Sequence, residues 1–377
     1  MINLDHNATA PLRPQARAAM DALAARGPGN PSSAHAAGRV ARAALEQARR
    51  AIAAALGARA REVVFTSGGT ESNNLALLGA VPDAAGAHLV VSPIEHSSVL
   101  GPVRELARRG ATVTWLPVDA VGRIAPAAVA EALRPETALV AVGWANNEIG
   151  TVQPIAALAA LCRARGVRLH VDAAQALGKL PLAVDGIDLC ALSAHKLGGP
   201  MGIGALVVRR GVALRPLTWG GEQERGLRPG SENALAAVGF AAALAATGGD
   251  DWAACESLRE ALWERVADLA GVRRHSPRDG CLPNTLNIGV EGVRGEALVA
   301  ALDLEGVAVS VGSACAAGSG EPSHVLRAIG CDAAAAAAGV RFSLGRETTA
   351  AEIERAAAVV RGVVARMRTV EARTAVG

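Results

Sequence analysis

Lys196 and Asp172 are the pair with the most chemistry to offer. Each closes or follows a short apolar run, Arg168–Val171 for the aspartate and Leu189–Ser193 for the lysine, so both are expected at strand ends. A lysine and a carboxylate at neighbouring strand ends suit a pyridoxal phosphate site. The amine would hold the cofactor covalently and the carboxylate would keep its pyridine nitrogen protonated. A structural ion pair is the alternative that spacing alone leaves open. Ser67-Gly68-Gly69-Thr70 lies between an expected strand and helix, where small residues and a helix N-terminus can receive an anion. An ordinary capped turn has the same look. Ser193 and His195 flank the lysine and can reach a phosphate, or merely cap a turn. His96, after Ser92-Pro93-Ile94-Glu95, can stack on a flat ring or move protons near neutral pH. Asn147 and Gln175 can hydrogen-bond a ring hydroxyl or simply satisfy loops. Arg341 can clamp a carboxylate or form a surface salt bridge.

Cys315 differs in kind. It lies in the run Ser310–Gly320, which is built almost wholly of small residues, the setting expected of an exposed nucleophile. The other cysteines, at 162, 190, 255, 281 and 331, sit in apolar or unremarkable settings and read as core or spectators. No C-x-x-C pair is present, which argues against zinc and against a disulfide scaffold.

These residues need a sheet to bring them together. Between residue 35 and about 245, helices alternate with near-continuous apolar strands, predicting a mostly parallel α/β sheet covered on both faces. Helices are expected at His35–Leu56, Glu71–Leu78, Ala127–Leu133 and Ile155–Arg165. Strands are expected at Glu62–Thr66, His88–Ser92, Thr112–Pro117, Leu139–Val142, Arg168–Asp172, Leu189–Ser193 and Gly204–Val208. Ligands of open parallel sheets bind beyond the carboxyl ends of the strands. Five polar clusters follow those ends: Thr66–Glu71, Glu95-His96, Asn146–Glu148, Asp172–Gln175 and Ser193–Lys196. The stretch Gly248–Asp251 is the best break. It divides a large α/β domain, 14–247, from a smaller α+β domain, 248–377 together with 1–13. The smaller domain opens with a long helix, Trp252–Ala270, and ends in another, Ala350–Arg368.

The 377 residues are 51% hydrophobic and 19% charged, enough for large cores and incompatible with global disorder. Aromatics make up 2%, with no tyrosine, which argues against base-stacking nucleic-acid modules. The net charge of +3 comes from interspersed charges and forms no phosphate-binding tail. No stretch is apolar and long enough for a membrane span, and Met1–Ala10 has no secretion signal, so a cytoplasmic protein is expected.

Taken in order along the chain, the motifs resemble the cysteine desulfurases, pyridoxal phosphate enzymes of aminotransferase class V with the aspartate aminotransferase-like fold (fold type I). The resemblance runs through Leu4–Thr9, Asn30–His35, Phe65–Asn74, Asn146–Gly150, His170–Gln175, Ser193–Lys196, Gly312–Cys315, Glu321–His324 and Arg341–Ser343. It implies that Lys196 carries the cofactor, Asp172 pairs with its ring nitrogen, His96 stacks on the ring and Gln175 bonds its phenolic oxygen. Gly69, Thr70, Ser193 and His195 would hold the phosphate, joined from the second subunit of a homodimer by Ser231. Asn147 and Arg341 would hold the carboxylate of L-cysteine, and Cys315 would take its sulfur as a persulfide. The loop after Cys315 is similar to that of the mobile-loop group, the housekeeping and nitrogen-fixation types. An acceptor such as an iron–sulfur scaffold would then take the sulfur. Pro229 and Ser231 stand where relatives often carry Ser and Thr. Selenocysteine lyases and other class V aminotransferases share most of these residues, and a non-catalytic scaffold homologue would have no need of all four of Lys196, Asp172, His96 and Cys315.

Overall fold

A computed structural model describes residues 1–312 and 321–374. The chain opens with β1 (Ile2–Asn3) and the helix Pro14–Ala24, then the helix Ala36–Ala55. There follow β2 (Val63–Thr66), β3 (His88–Val91), β4 (Thr112–Trp115), β5 (Thr137–Gly143), β6 (Arg168–Asp172), β7 (Leu189–Ser193) and β8 (Gly204–Val208). These seven form one sheet in the order β2-β8-β7-β6-β5-β3-β4. β8 runs antiparallel to both its neighbours, and the other pairs are parallel.

Alternate residues of the central strands feed two cores. Val63, Phe65, Val140, Val142 and Leu192 pack on one face against the helices Ala36–Ala55 and Ala234–Ala246. Val64, Leu89, Val91, Leu139 and Ala141 pack on the other against the helices Gly69–Ala80 and Ser97–Arg108. Burial on both faces is why the strands read as continuous apolar runs. Each fully buried Val or Leu contributes about 1.5–3 kcal/mol.

A separate core joins Ile2 and Leu4 to residues from the C-terminal third, among them Leu286, Ile288, Phe342 and Val360. Its strands are β9 (Val272–Arg274), β10 (Thr285–Val290), β11 (Val307–Ala308) and β12 (Gly339–Ser343). The order β12-β10-β9 is antiparallel, while β1 pairs parallel to β11. The helices Trp252–Val266 and Ala350–Thr374 cover it.

Between residues 14 and 247, three helices escape the sequence pattern: Pro14–Ala24, Ser97–Arg108 and Ala234–Ala246. The last is almost all alanine and small apolar residues, so it shows no polar–apolar stripe to detect. The helix expected from Glu71 begins at Gly69, and the one expected to reach Ala270 ends at Val266. Among the described residues no helix is long and apolar enough to cross a membrane.

Candidate active site

The carboxyl ends of the parallel strands surround a cavity of about 310 Å³. Gly69, Thr70, His96, Asn147, Asp172, Gln175, Ser193, His195, Lys196 and Arg341 all line it. Ser231 stands apart, exposed in the loop before the helix Ala234–Ala246. Cys315 lies outside the described residues.

Asp172 closes β6. Its Oδ2 accepts from Asn73 Nδ2 at 2.7 Å and its Oδ1 from the Ala174 N–H at 2.9 Å, which fixes the carboxylate plane. Lys196 lies in the short 3-10 turn Ala194–Leu197 after β7. Its Nζ donates to the carbonyls of Asn7 at 2.7 Å and Ala8 at 2.9 Å. The turn ends at Gly198, with φ +85°. A Cβ there would lie 2.7 Å from Arg13 Cγ and 2.9 Å from the Pro11 carbonyl, so glycine is required for both conformation and room. Arg13 then locks the turn, donating from Nε to Leu197 O at 2.7 Å and pairing with Asp250.

Gly69 and Thr70 begin the helix Gly69–Ala80, whose N-terminus no side chain caps. His195 Nδ1 meets Thr9 Oγ1 at 3.2 Å. Burial, with Lys196 nearby, pulls its pKa down to about 4, so it is neutral at physiological pH. Arg341 is buried in β12. Its Nη1 donates to Asn147 O at 2.9 Å and its Nη2 to Asp5 Oδ1 at 2.7 Å, while Nε has no partner. Arg341 lines the cavity, so its guanidinium is placed to meet an incoming oxygen anion.

Several residues of the site were not singled out from the sequence. Asn7 is one. Its Nδ2 donates to Thr285 Oγ1 at 2.8 Å and to Asn147 O at 3.2 Å, and its Oδ1 accepts from Lys179 Nζ at 2.9 Å and Asn284 Nδ2 at 3.0 Å. Lys179 is another: its Nζ also donates to Gln175 Oε1 at 2.9 Å, and Gln175 Nε2 donates to Asn7 O at 3.0 Å. Burial, with the charges of Lys196 and Arg341, lowers Lys179 to about 7. A signal for it existed. Of 38 basic residues only Lys179 and Lys196 are lysines; Lys196 lines this cavity and Lys179 bonds Gln175, which also lines it. Glu95 packs against Gly143, where a Cβ would come within 3.0 Å of Glu95 Oε2. Burial, helped by the Asp172 charge, raises its carboxyl to about 8, so it holds a proton at neutral pH. The described cysteines are all free, and burial pushes Cys162, Cys255 and Cys281 up to about 11, 12 and 11, as inert thiols require.

The class V aminotransferase family model matches residues 2–356. The cysteine desulfurase IscS of Dictyoglomus turgidum is 40% identical over 377 residues, covering 98% of this chain and 96% of that protein. The chain belongs to the cysteine desulfurase family of class V aminotransferases. Among solved structures, a NifS-like protein superposes with a TM-score of 0.90 at 32% identity, over 97% of this chain and 99% of that one. SspA in complex with cysteine does so with a TM-score of 0.82 at 36% identity, over 93% and 100%. Cysteine desulfurases are pyridoxal phosphate enzymes of fold type I, and the donor set of this cavity fits that cofactor. An oriented carboxylate, an amine, an uncapped helix N-terminus beside a threonine and a serine, and a neutral histidine share one cavity.

Proposed function

We propose that this desulfurase converts L-cysteine to L-alanine and takes up the sulfur on Cys315. The observation that carries the reading is the convergence of Asp172, Lys196, His96 and Arg341 on one cavity. The cysteine bound by the solved relative SspA supports the substrate. Bound in the cavity, pyridoxal phosphate supplies an electron-withdrawing ring that weakens the bonds at the substrate's Cα. Lys196 would carry it, the Asp172 carboxylate would hold a proton on its ring nitrogen, and His96 would cover its face. Gln175 would face its phenolic oxygen. Thr70, Gly69, Ser193 and His195 would receive its phosphate, with Ser231 added from the second subunit of a homodimer. Arg341 and Asn147 would orient the substrate carboxylate.

Lys196 then moves the Cα proton. The Cys315 thiolate attacks the substrate sulfur: the Cβ–S bond breaks, an S–S bond forms, and Cβ gains a proton to become the methyl of alanine. No outside oxidant is needed, because the persulfide holds the oxidising equivalent. The sulfur passes to an acceptor protein, such as an iron–sulfur scaffold, in the cytoplasm. The two cores support a division into a cofactor-binding unit, 14–247, and a smaller unit, 248–377 with 1–13.

The test is a visible spectrum of the purified protein before and after L-cysteine, with alanine and sulfide assayed under reductant. A cofactor band that changes with cysteine, with both products formed, is expected. A band indifferent to cysteine would return the chain to its aminotransferase or selenocysteine lyase relatives. Cys315→Ala should keep the band and lose both products. Release of alanine and sulfide at the parent rate would remove Cys315 from the mechanism.

A further inference from the structure

His96 caps the helix Ser97–Arg108 from its N-terminus, and Ser98 holds Nδ1 of its ring. The Ser98 backbone N–H donates to His96 Nδ1 at 3.1 Å. A backbone N–H can only donate, so Nδ1 must present its lone pair. Ser98 Oγ lies 2.7 Å from the same nitrogen. That hydroxyl already accepts from Asn73 Nδ2 at 2.9 Å, leaving its own hydrogen to turn toward Nδ1.

The chain continues inward. Asn73 Nδ2 spends its second hydrogen on Asp172 Oδ2 at 2.7 Å, and Asn73 Oδ1 faces His170 Nε2 at 3.0 Å. Asp172 decides the direction. Turning the amide over would set Asn73 Oδ1 against a carboxylate oxygen and leave two donors without acceptors. His170 therefore donates from Nε2; burial lowers its pKa to about 4, consistent with a neutral ring. Asn73 and His170 are fully buried and Ser98 nearly so, so each bond in the chain acts without competing water.

We propose that Asn73 and Ser98 are positioning residues that hold His96 as its Nε2–H tautomer, through a hydrogen-bond chain whose direction is set by Asp172. Protonating Nδ1 would bring a third hydrogen against the two donors of Ser98, so the imidazolium is disfavoured by geometry. Neutral His96 then meets the cavity as a hydrogen-bond donor. It polarises what lies over the ring and does not accept a proton there, and proton acceptance falls to Lys196. This division of labour rests on the desulfurase reading; the tautomer itself does not.

The experiment is a long-range ¹H–¹⁵N NMR spectrum of the ¹⁵N-histidine-labelled holoenzyme, with His96→Gln identifying the His96 signals. An unprotonated Nδ1 and a protonated Nε2 at neutral pH are expected. A protonated Nδ1, in either the neutral ring or the imidazolium, overturns the proposal. In parallel, Ser98→Ala keeps the backbone donor and removes the hydroxyl, and should lower kcat about tenfold with KM nearly unchanged. Ser98→Thr, which restores a hydroxyl, should recover most of that loss. An unchanged kcat in Ser98→Ala, or an equal loss in Ser98→Thr, also overturns it. A protein that makes no alanine from cysteine refutes the functional reading alone, because the ring spectrum needs no turnover. If Ser98→Ala does not fold, the parent spectrum decides.

Discussion

Two asparagines organise the two walls of the cavity, and they differ in reach. Asn73 bonds Ser98, His170 and Asp172, all within the residues that build the seven-stranded sheet. Asn7 bonds Thr285 and Asn284 of the second core as well as Asn147 and Lys179 of the first, and its N–H donates to Ser343 Oγ at 2.9 Å. The Asn73 wall carries Asp172, a protonated Glu95 and two histidines whose pKa values burial lowers. The Asn7 wall carries Lys179, Lys196 and Arg341, the last paired with Asp5. One wall is thus complete once the sheet has formed, and the other exists only when the N-terminal segment ties both cores together. Removing Asn73 should alter chemistry with little loss of fold, while removing Asn7 should cost both.

The largest effect belongs to Lys196. Lys196→Ala should abolish the cofactor's visible band and lower activity by at least about a thousandfold. Its unfolding free energy in urea should shift by less than about 2 kcal/mol, because one side chain's hydrogen bonds are all that is lost. Residual activity above a tenth of the parent would detach this lysine from the reaction.

Asn7→Ala tests the reach of the second wall. It removes one partner each from Lys179, Asn284 and Thr285, and each lost hydrogen bond costs about 0.5–1.5 kcal/mol. A loss of about 2–4 kcal/mol in urea is expected, with kcat down about a hundredfold as the Asn7 and Ala8 carbonyls under Lys196 shift. Full stability with lost activity would mean that the two walls do not differ in the way described.

The contrast also explains what could be read without coordinates. Strand ends announce themselves through apolar runs followed by polar clusters, so Asp172, Lys196, His96 and Thr70 were visible, and the cavity gathers them. Asn73 and Ser98 lie next to such clusters, but their value comes from partners tens of residues away in sequence, which no local pattern encodes. Asn7 is further removed, since its partners span separations of up to 336 residues. The alanine-rich helix Ala234–Ala246 was hidden for another reason: a helix uniformly small and apolar has no periodicity to find.

Lys179→Met sharpens the comparison through pH. Folding lowers this amine from 10.5 to about 7. Between those values the unfolded chain binds a proton that the folded chain does not, so its contribution to stability rises with pH across that window. Below pH 7 the buried charge is a cost. The variant should show a flatter rise between pH 7 and 10.5 in urea unfolding, with kcat lowered about tenfold because Gln175 and Asn7 lose a shared donor. A parent and variant with parallel pH profiles would place the charge of Lys179 outside the folding equilibrium.

Glu95→Gln should change activity least, by no more than about threefold, because the amide copies a carboxyl that is already protonated at neutral pH. Its signature lies in stability, with the opposite sign to that of Lys179. Folding raises the Glu95 pKa from 4.5 to about 8, so between those values the folded chain holds a proton that the unfolded chain has released. Stability from this group is complete below pH 4.5 and declines as pH rises toward 8. Gln cannot ionise, yet its Oε1 can accept from the Gly143 N–H as the carboxyl does. The variant should therefore lack that decline and gain on the parent as pH climbs through the window, measured by urea midpoints at pH 5, 6.5 and 8. A difference that shrinks with rising pH would mean that Glu95 is ionised in the folded protein. A second negative charge would then face Asp172 across Gly143, and the Asn73 wall would not be the locally closed structure with a single carboxylate charge that sets it apart from its cationic counterpart.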